Sequence, residues 1–343
     1  MKNILIIKPS SLGDIVQALP ALSAMRRQYP HAKISWLVRP EFAELLKGHP
    51  HLDEIILFDR KLLGKVWHNW YALKALLSLI SKLRQCRFDT VLDLQGLFRT
   101  AGLALLSGCK DRYGMRNTRE FGSILYSHRV TQDQESIHVA DYYMKIAQAA
   151  GAEDIEVKFI LPQYPASGES AKSLLEKNNV TGNNYAVFVP SSLHRTKCWP
   201  AERFASLAEK ITTQFGLSVI ATGTANEKIL IDDIQKVCNV DIVNLAGQTS
   251  LSELIAVQRS AKLVVSNDTG PGHIAAALGI PLVMIFGLSN PVRVLPYARP
   301  ETVAGVDIFT RGTSPYNNNP AYSIDSVTFE QVYEKVREQL RSN

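Results

Sequence analysis

Cysteine is scarce in this 343-residue chain. Its four copies, Cys86, Cys109, Cys198 and Cys238, are widely spaced and form no metal-ligand pattern. They read as reduced thiols of a cytoplasmic protein. No run of 18 apolar residues occurs, so no membrane-spanning helix is expected. The longest candidate, IAAALGIPLVMIFGL, is broken by Gly279, Pro281 and Gly287. At the start, MKNILIIKPSS has an apolar run of four residues. That is too short for a signal-peptide core and reads as a first strand. No D-x-D motif is present, and ATGTANEK has a single glycine where a dinucleotide fingerprint needs three. Basic residues are not interleaved with any nucleic-acid motif, which argues against a nucleic-acid partner.

What is present is ordinary globular composition, 46% hydrophobic and 20% charged, at a length that suits two domains. The net charge of +6 is unevenly placed. Residues 1–160 hold 22 of the 38 basic and 16 of the 32 acidic residues, so that half carries the whole excess. It is the half suited to an acidic partner.

Strand signals alternate with helical ones. NILIIK, KISWLVR, EIILFD and TVLDLQ read as strands, with helices near 14–29, 41–48, 69–86 and 138–150. After residue 184 the pattern returns in YAVFVPSS, LSVIATG, VDIVNLAG, AKLVVSND and PLVMIFG, with helices near 201–215, 226–237, 251–259 and 272–279. LPQYPASGES (161–170) reads as a linker, and a last helix is expected near 327–341. This predicts an α/β protein with two Rossmann-like domains, 1–165 and 166–343, facing across a cleft, with the final helix packing back toward the first domain. In such sheets ligands meet the carboxyl ends of the strands.

The turns at those ends are polar. KPSSLGD places Ser10, Ser11, Gly13 and Asp14 after the first strand. Asp14 suits two roles, a first-turn acid favoured by the helix dipole or a carboxylate displayed as a general base. DLQGLFRT brings Gln95 and Arg99 to the same rim. In the second half, VPSSLHRTKCWP sets Ser191, Ser192 and Lys197 after a strand, hydroxyls and a cation that suit phosphate oxygens. Glu227 follows the next strand, where it can accept from ribose hydroxyls or merely open its helix. Gln248 follows the third and can line a base pocket. SNDTGPGHIAAALGIP follows the fourth, and its residues Asp268 to His273 form a strand-to-helix turn whose backbone N–H groups suit an anion. There Gly270 and Gly272 let the backbone come close to it.

KPSSLGDIVQALPAL, LDLQGL, the K-x-W-P of Lys197–Pro200 and NDTGPGHIAAALGIPLVMIFG together resemble the ADP-heptose:lipopolysaccharide heptosyltransferases. The resemblance runs from residue 4 to about residue 295 and is closest to the first-heptose enzymes. It implies a GT-B fold and inverting transfer without metal or cofactor. Asp14 would be the catalytic base. Ser191, Ser192 and Lys197 would meet the donor phosphates, Lys197 with a catalytic share, and Glu227 the ribose. Asp268, Thr269, Gly270 and His273 would form the diphosphate turn. Two departures stand out, a loop from Ser192 to Lys197 one residue longer and Gly272 where a larger residue is frequent.

The implied donor is ADP-heptose and the implied acceptor a Kdo sugar on a lipid A type glycolipid, met at the cytoplasmic face of the inner membrane. Ser10, Ser11, Gly13, Arg60, Lys61, Gln95 and Arg99 are the candidate acceptor contacts. Transfer to a heptose or another acceptor, a nucleotide-sugar epimerase of similar fold, and a two-lobed sugar-binding protein are the alternatives. Residues 60–87 hold seven basic residues and no acid, together with Trp67, Trp70 and Tyr71. They suit either a helix with a basic solvated face or a surface that meets the lipid-bearing acceptor.

Overall fold

Ile4 to Ile7 have no exposed surface at all, because helices cover both faces of the sheet they enter. The computed structural model describes residues 1–118, 120–132, 137–192, 194–317 and 319–341. The chain divides into two units, Met1–Gln163 and Tyr164–Asn343.

The first unit runs β1 (Asn3–Ile7), α1 (Leu12–Gln28), β2 (Lys33–Val38), β3 (Glu54–Leu57), α2 (Arg60–Leu63), α3 (Trp70–Gln85), β4 (Thr90–Asp93), α4 (Phe98–Leu106), β5 (Asp111–Met115), β6 (His128–Val130) and α5 (Val139–Ala149). Its six strands are parallel and ordered β3-β2-β1-β4-β5-β6. The second unit runs α6 (Pro165–Lys177), β7 (Tyr185–Val189), α7 (Ala201–Phe215), β8 (Ser218–Ala221), α8 (Lys228–Lys236), β9 (Ile242–Asn244), α9 (Leu251–Arg259), β10 (Leu263–Asn267), α10 (Gly270–Ala277), β11 (Leu282–Ile285), β12 (Val303–Ala304) and α11 (Phe329–Arg341). Its order, β12-β11-β10-β7-β8-β9, repeats the first when counted from its own first strand.

The strand order of each sheet therefore reverses between its first and fourth strands. That happens at β1/β4 and at β7/β10, the switch points where open parallel sheets bind ligands. Period-two alternation fixes which side chains support each one. In β7, Ala186 and Phe188 join the core under α7 and α11, while Tyr185, Val187 and Val189 face the layer of α6 and α9. Trp199 anchors the loop after β7. It stands edge-on to Phe204 at 5.1 Å between ring centroids, and its Nε1–H donates to the Val327 carbonyl at 2.8 Å.

The final helix α11 buries Val332 and Val336 in the core of the second unit. Several expectations need correction. Residues 165–170 are not linker but the opening of α6, with Pro165 at the first helical position, where a missing N–H costs nothing. The segment near 41–48 is a 3₁₀ helix, Pro40–Leu46. In α3 the buried residues are Ala72, Leu79 and Leu83, whereas Leu77 faces solvent.

Candidate active site

At the second switch point, β7 ends into Ser191 and Ser192 and β10 ends into Asp268 and Thr269. Asn267, fully buried, ties the two turns together. Its Nδ2 donates to the Pro190 carbonyl at 2.7 Å, and its Oδ1 accepts from the Trp199 N–H at 3.2 Å. With the loop held so, Lys197 Nζ reaches Asp268 Oδ2 at 2.7 Å. His273 Nε2 lies 3.6 Å from the other oxygen, Oδ1. Burial by itself would raise the Asp268 carboxyl. The His273 hydrogen bond and the Lys197 charge outweigh it and hold the group well below the ordinary carboxylate range.

Thr269 is the N-cap of α10, so the strand-to-helix turn is only two residues long and the helix already begins at Gly270. Pro271 has no N–H, and the His273 N–H goes to the Thr269 carbonyl at 3.3 Å. Gly270 and Gly272 are left as first-turn donors without a partner inside the helix. A Cβ on Gly272 would lie 2.8 Å from Ser266 Oγ and 3.1 Å from Met284 Cε. The glycine is therefore needed for the helix to lie on β10 and β11. Packing is thus a reason for the glycine that the sequence did not show, beside the close approach to a ligand expected of it.

A pocket of about 760 Å³ opens along the loop after β7, with Ser191, Ser192, Arg195, Glu227, Leu230 and Asp325 among its walls; Lys197 and the turn into α10 are not part of that lining. Glu227 is both pocket wall and local cap, because its Oε2 accepts the Thr224 N–H at 2.6 Å. Gln248 is exposed outside that lining, and its Nε2 donates to the Asn244 carbonyl at 2.8 Å.

At the first switch point Asp14 takes up the first of the two roles its position suggests, that of a first-turn acid. Its Oδ2 accepts the Ser11 N–H at 3.0 Å and the Ser11 hydroxyl at 2.6 Å, capping α1. The carboxylate nevertheless stays 38% exposed. Lys8 lies 4.0 Å from its Oδ1. Burial lowers the Lys8 pKa, opposed by the charges of Asp14 and Asp93. Gln95 comes alongside, with its Oε1 accepting the Ser10 N–H at 3.4 Å. Gly13 is buried in the first turn of α1. Arg99 is exposed on α4, while Arg60 and Lys61 are exposed on α2 behind the edge strand β3.

The profile of glycosyltransferase family 9 (heptosyltransferase) matches residues 76–315. The chain belongs to this family. A lipopolysaccharide core heptosyltransferase, OpsX of Haemophilus influenzae, is 29% identical over 89% of this glycosyltransferase and 84% of its own length. Among solved structures, a family 9 glycosyltransferase from Veillonella parvula gives a TM-score of 0.84 at 21% identity, covering 100% of this chain and 98% of that one. The E. coli heptosyltransferase WaaC, solved with ADP-2-deoxy-2-fluoro heptose, gives 0.73 at 23%, covering 98% and 99%. These structural likenesses show the two-unit GT-B type fold.

Three residues of the glycosyltransferase's site escaped sequence reasoning. Asn267 reads as the last polar position of a strand, and its clamp depends on partners 68 and 77 residues away. Lys8 reads as a strand-end cation, though it is buried beneath Asp14. Tyr316, in a polar stretch without periodicity, lies under the Lys197 ammonium at 5.5 Å from its ring centroid. Only the spacing of SND before the glycines hinted at the first of them.

Proposed function

We propose that this glycosyltransferase moves heptose from ADP-heptose to a Kdo sugar of the lipopolysaccharide inner core, inverting the anomeric carbon and using no metal ion. One observation carries the reading: a lysine held by a carboxylate beside the N-terminus of α10, at the switch point of the second unit. A fixed cation together with first-turn N–H groups suits a diphosphate. The ADP-sugar and the lipopolysaccharide core enter through the relatives, WaaC having been solved with an ADP-heptose analogue and the Haemophilus protein being named for the core.

In this reading Ser191, Ser192, Lys197 and the turn Thr269–Gly270 hold the donor diphosphate, and Glu227 and Gln248 meet the nucleoside. Asp268 and His273 act on Lys197 and the turn rather than on phosphate. The acceptor hydroxyl gives its proton to Asp14 as its oxygen attacks the anomeric carbon. The bond from that carbon to the phosphate oxygen breaks, and the charge gathering on ADP is met by Lys197 and the helix N-terminus. Ser10, Ser11, Gln95, Arg99, Arg60 and Lys61 receive the acidic acceptor, and the lipid that carries it brings the enzyme to the cytoplasmic face of the inner membrane.

Mass spectrometry of products from ADP-heptose and defined inner-core acceptors tests the proposal. A heptosylated Kdo acceptor is expected, formed equally with and without EDTA. Conversion of the donor alone, transfer only to heptose-bearing acceptors, or loss of transfer on chelation with recovery on adding magnesium would each overturn the corresponding part.

A further inference from the structure

The segment Arg60–Arg87 combines two unusual features on one side of the first unit. Its aromatic residues are bare, with Trp67 95% exposed, Trp70 71% and Tyr71 78%. Its charge is of one sign, with seven basic residues and no acid. The geometry of α3 explains why they gather. Ala72, Leu79 and Leu83 point into the core, so at 100° per residue Trp70, Lys74, Leu77 and Ser81 fall on the opposite face, with Tyr71 at its margin. Neighbouring acids are already engaged. Asp59 caps α2 through the Leu62 N–H, and Glu54 pairs with Lys33 and Lys82. Further along, the face continues into a groove of about 450 Å³ lined by Leu77, Ile80, Ser81, Arg84, Gln85 and Arg87.

We propose that this face, from α2 through the aromatic turn to the outer side of α3, docks on an anionic lipid bilayer. The occupant follows from the chemistry. Indole and phenol rings with an apolar body and a polar edge settle at headgroup depth. Lysines and arginines interleaved with them meet lipid phosphates, and basic residues next to apolar ones are what a surface-lying element needs. A protein partner would more often cover Trp67 and Trp70 with a complementary pocket and counter-charges. A bilayer accepts them without shape. No described helix is long and apolar enough to cross a membrane, so the contact is with the surface. The inference deepens the lipid-borne acceptor of the proposed function, yet it concerns the bilayer itself and is testable without donor or acceptor.

The four tryptophans make a direct readout. Trp36 and Trp199 are buried in the free protein, so any change of emission on docking comes from Trp67 and Trp70. Mixing the full chain at low salt with phosphatidylethanolamine–phosphatidylglycerol vesicles is expected to shift emission to the blue and to co-sediment the protein, and phosphatidylcholine vesicles should do neither. Lys65→Glu/Lys74→Glu should weaken vesicle partitioning by at least about thirtyfold, since each basic residue lost near an anionic surface counts for roughly a factor of five and each carboxylate added repels it further. Trp67→Ser/Trp70→Ser should weaken it too and remove the shift. The control Lys172→Glu/Lys177→Glu, an equal charge change on exposed α6 positions, should behave as the parent. Every substituted side chain is exposed, and calorimetric ADP affinity, expected to match the parent in all variants, shows that each has folded. Parent protein that ignores anionic vesicles, or charge and aromatic variants that bind them like the parent, would overturn the docking face. Vesicle binding without ADP binding or transfer would overturn the proposed function and leave the docking face standing.

Discussion

Lys197 Nζ and Asp268 Oδ2 lie 2.7 Å apart, so the lysine cation is held by a carboxylate that stays charged in the folded protein. The pair links the loop after β7 to the end of β10, across the switch point. On the proposed donor site, removing Lys197 would delete a phosphate contact and leave Asp268 with His273. Removing the Asp268 charge leaves Lys197 present but unanchored. Lys197→Ala should weaken ADP binding by about 1.5–3 kcal/mol, the range for a hydrogen bond to a charged group. Asp268→Asn should cost less ADP affinity and more turnover, because position rather than contact is lost. The double variant should cost less than the two singles together. Calorimetry with ADP completes the cycle, and strict additivity would mean that the pair does not act as a unit.

Asp14 combines a structural and a chemical assignment that one substitution separates. An asparagine keeps an oxygen able to accept the Ser11 N–H and hydroxyl, so the cap on α1 survives. It cannot take a proton from an acceptor. Asp14→Asn should therefore retain the parent's thermal stability and ADP affinity while turnover falls by roughly 10²–10⁴-fold. A variant that turns over normally would return Asp14 to capping alone. One that melts early would show that the charge, not the oxygen, holds the helix end.

The sequence shows the two sheets plainly because strands buried on both faces are runs of apolar residues, as ILII within β1, YAVFV and LVMI are. Strand-end turns stand out for the same reason, as polar interruptions. Strand β5 did not show itself. DRYGM has no apolar run, and its glycine is there because a Cβ on Gly114 would run into the Tyr126 ring. That ring passes over the glycine so that its hydroxyl can donate to the buried Asp93 at 2.7 Å. Relations of this kind join residues dozens of positions apart and leave no local period. The same holds for Asn267 and for Lys8, whose importance lies in what they touch. Arg60, Lys61 and Arg99 were legible as basic residues near strand ends, but charge alone does not say which of them reaches a ligand.

Gly272 separates packing from ligand approach. Adding a methyl group at this position presses on Ser266 Oγ and Met284 Cε rather than on open space. Gly272→Ala should cost about 1–3 kcal/mol of stability, as overpacked cores do, by lifting α10 from the sheet. Urea unfolding measures it. ADP affinity of the folded fraction should change less than in Lys197→Ala. Full stability with sharply weakened ADP binding would show that close approach to phosphate, and not packing, requires the glycine.

His49 supplies a pH dependence of known sign. Its Nδ1 accepts the His51 N–H at 3.1 Å, so its Nε2 carries the hydrogen and donates to the Ile160 carbonyl at 2.9 Å. The neutral ring thus uses both nitrogens, in a buried place. Burial drives its pKa down to about 4, against a small rise from the Ile160 carbonyl and with help from His51. The unfolded chain, at about 6.5, binds this proton first. Between those values the unfolded state holds more protons than the folded one, so stability rises with pH. The contribution is complete above about pH 6.5 and is lost on acidification toward 4, amounting to about 2 kcal/mol between roughly pH 7.5 and 5. His49→Gln offers the same polar partners without a titrating ring. Its stability at neutral pH should be somewhat lower than the parent's, and its loss between those two pH values smaller by about that amount. Urea unfolding of both proteins at both pH values gives the comparison. Parallel losses would mean that His49 is already protonated, or already exposed, in the folded protein.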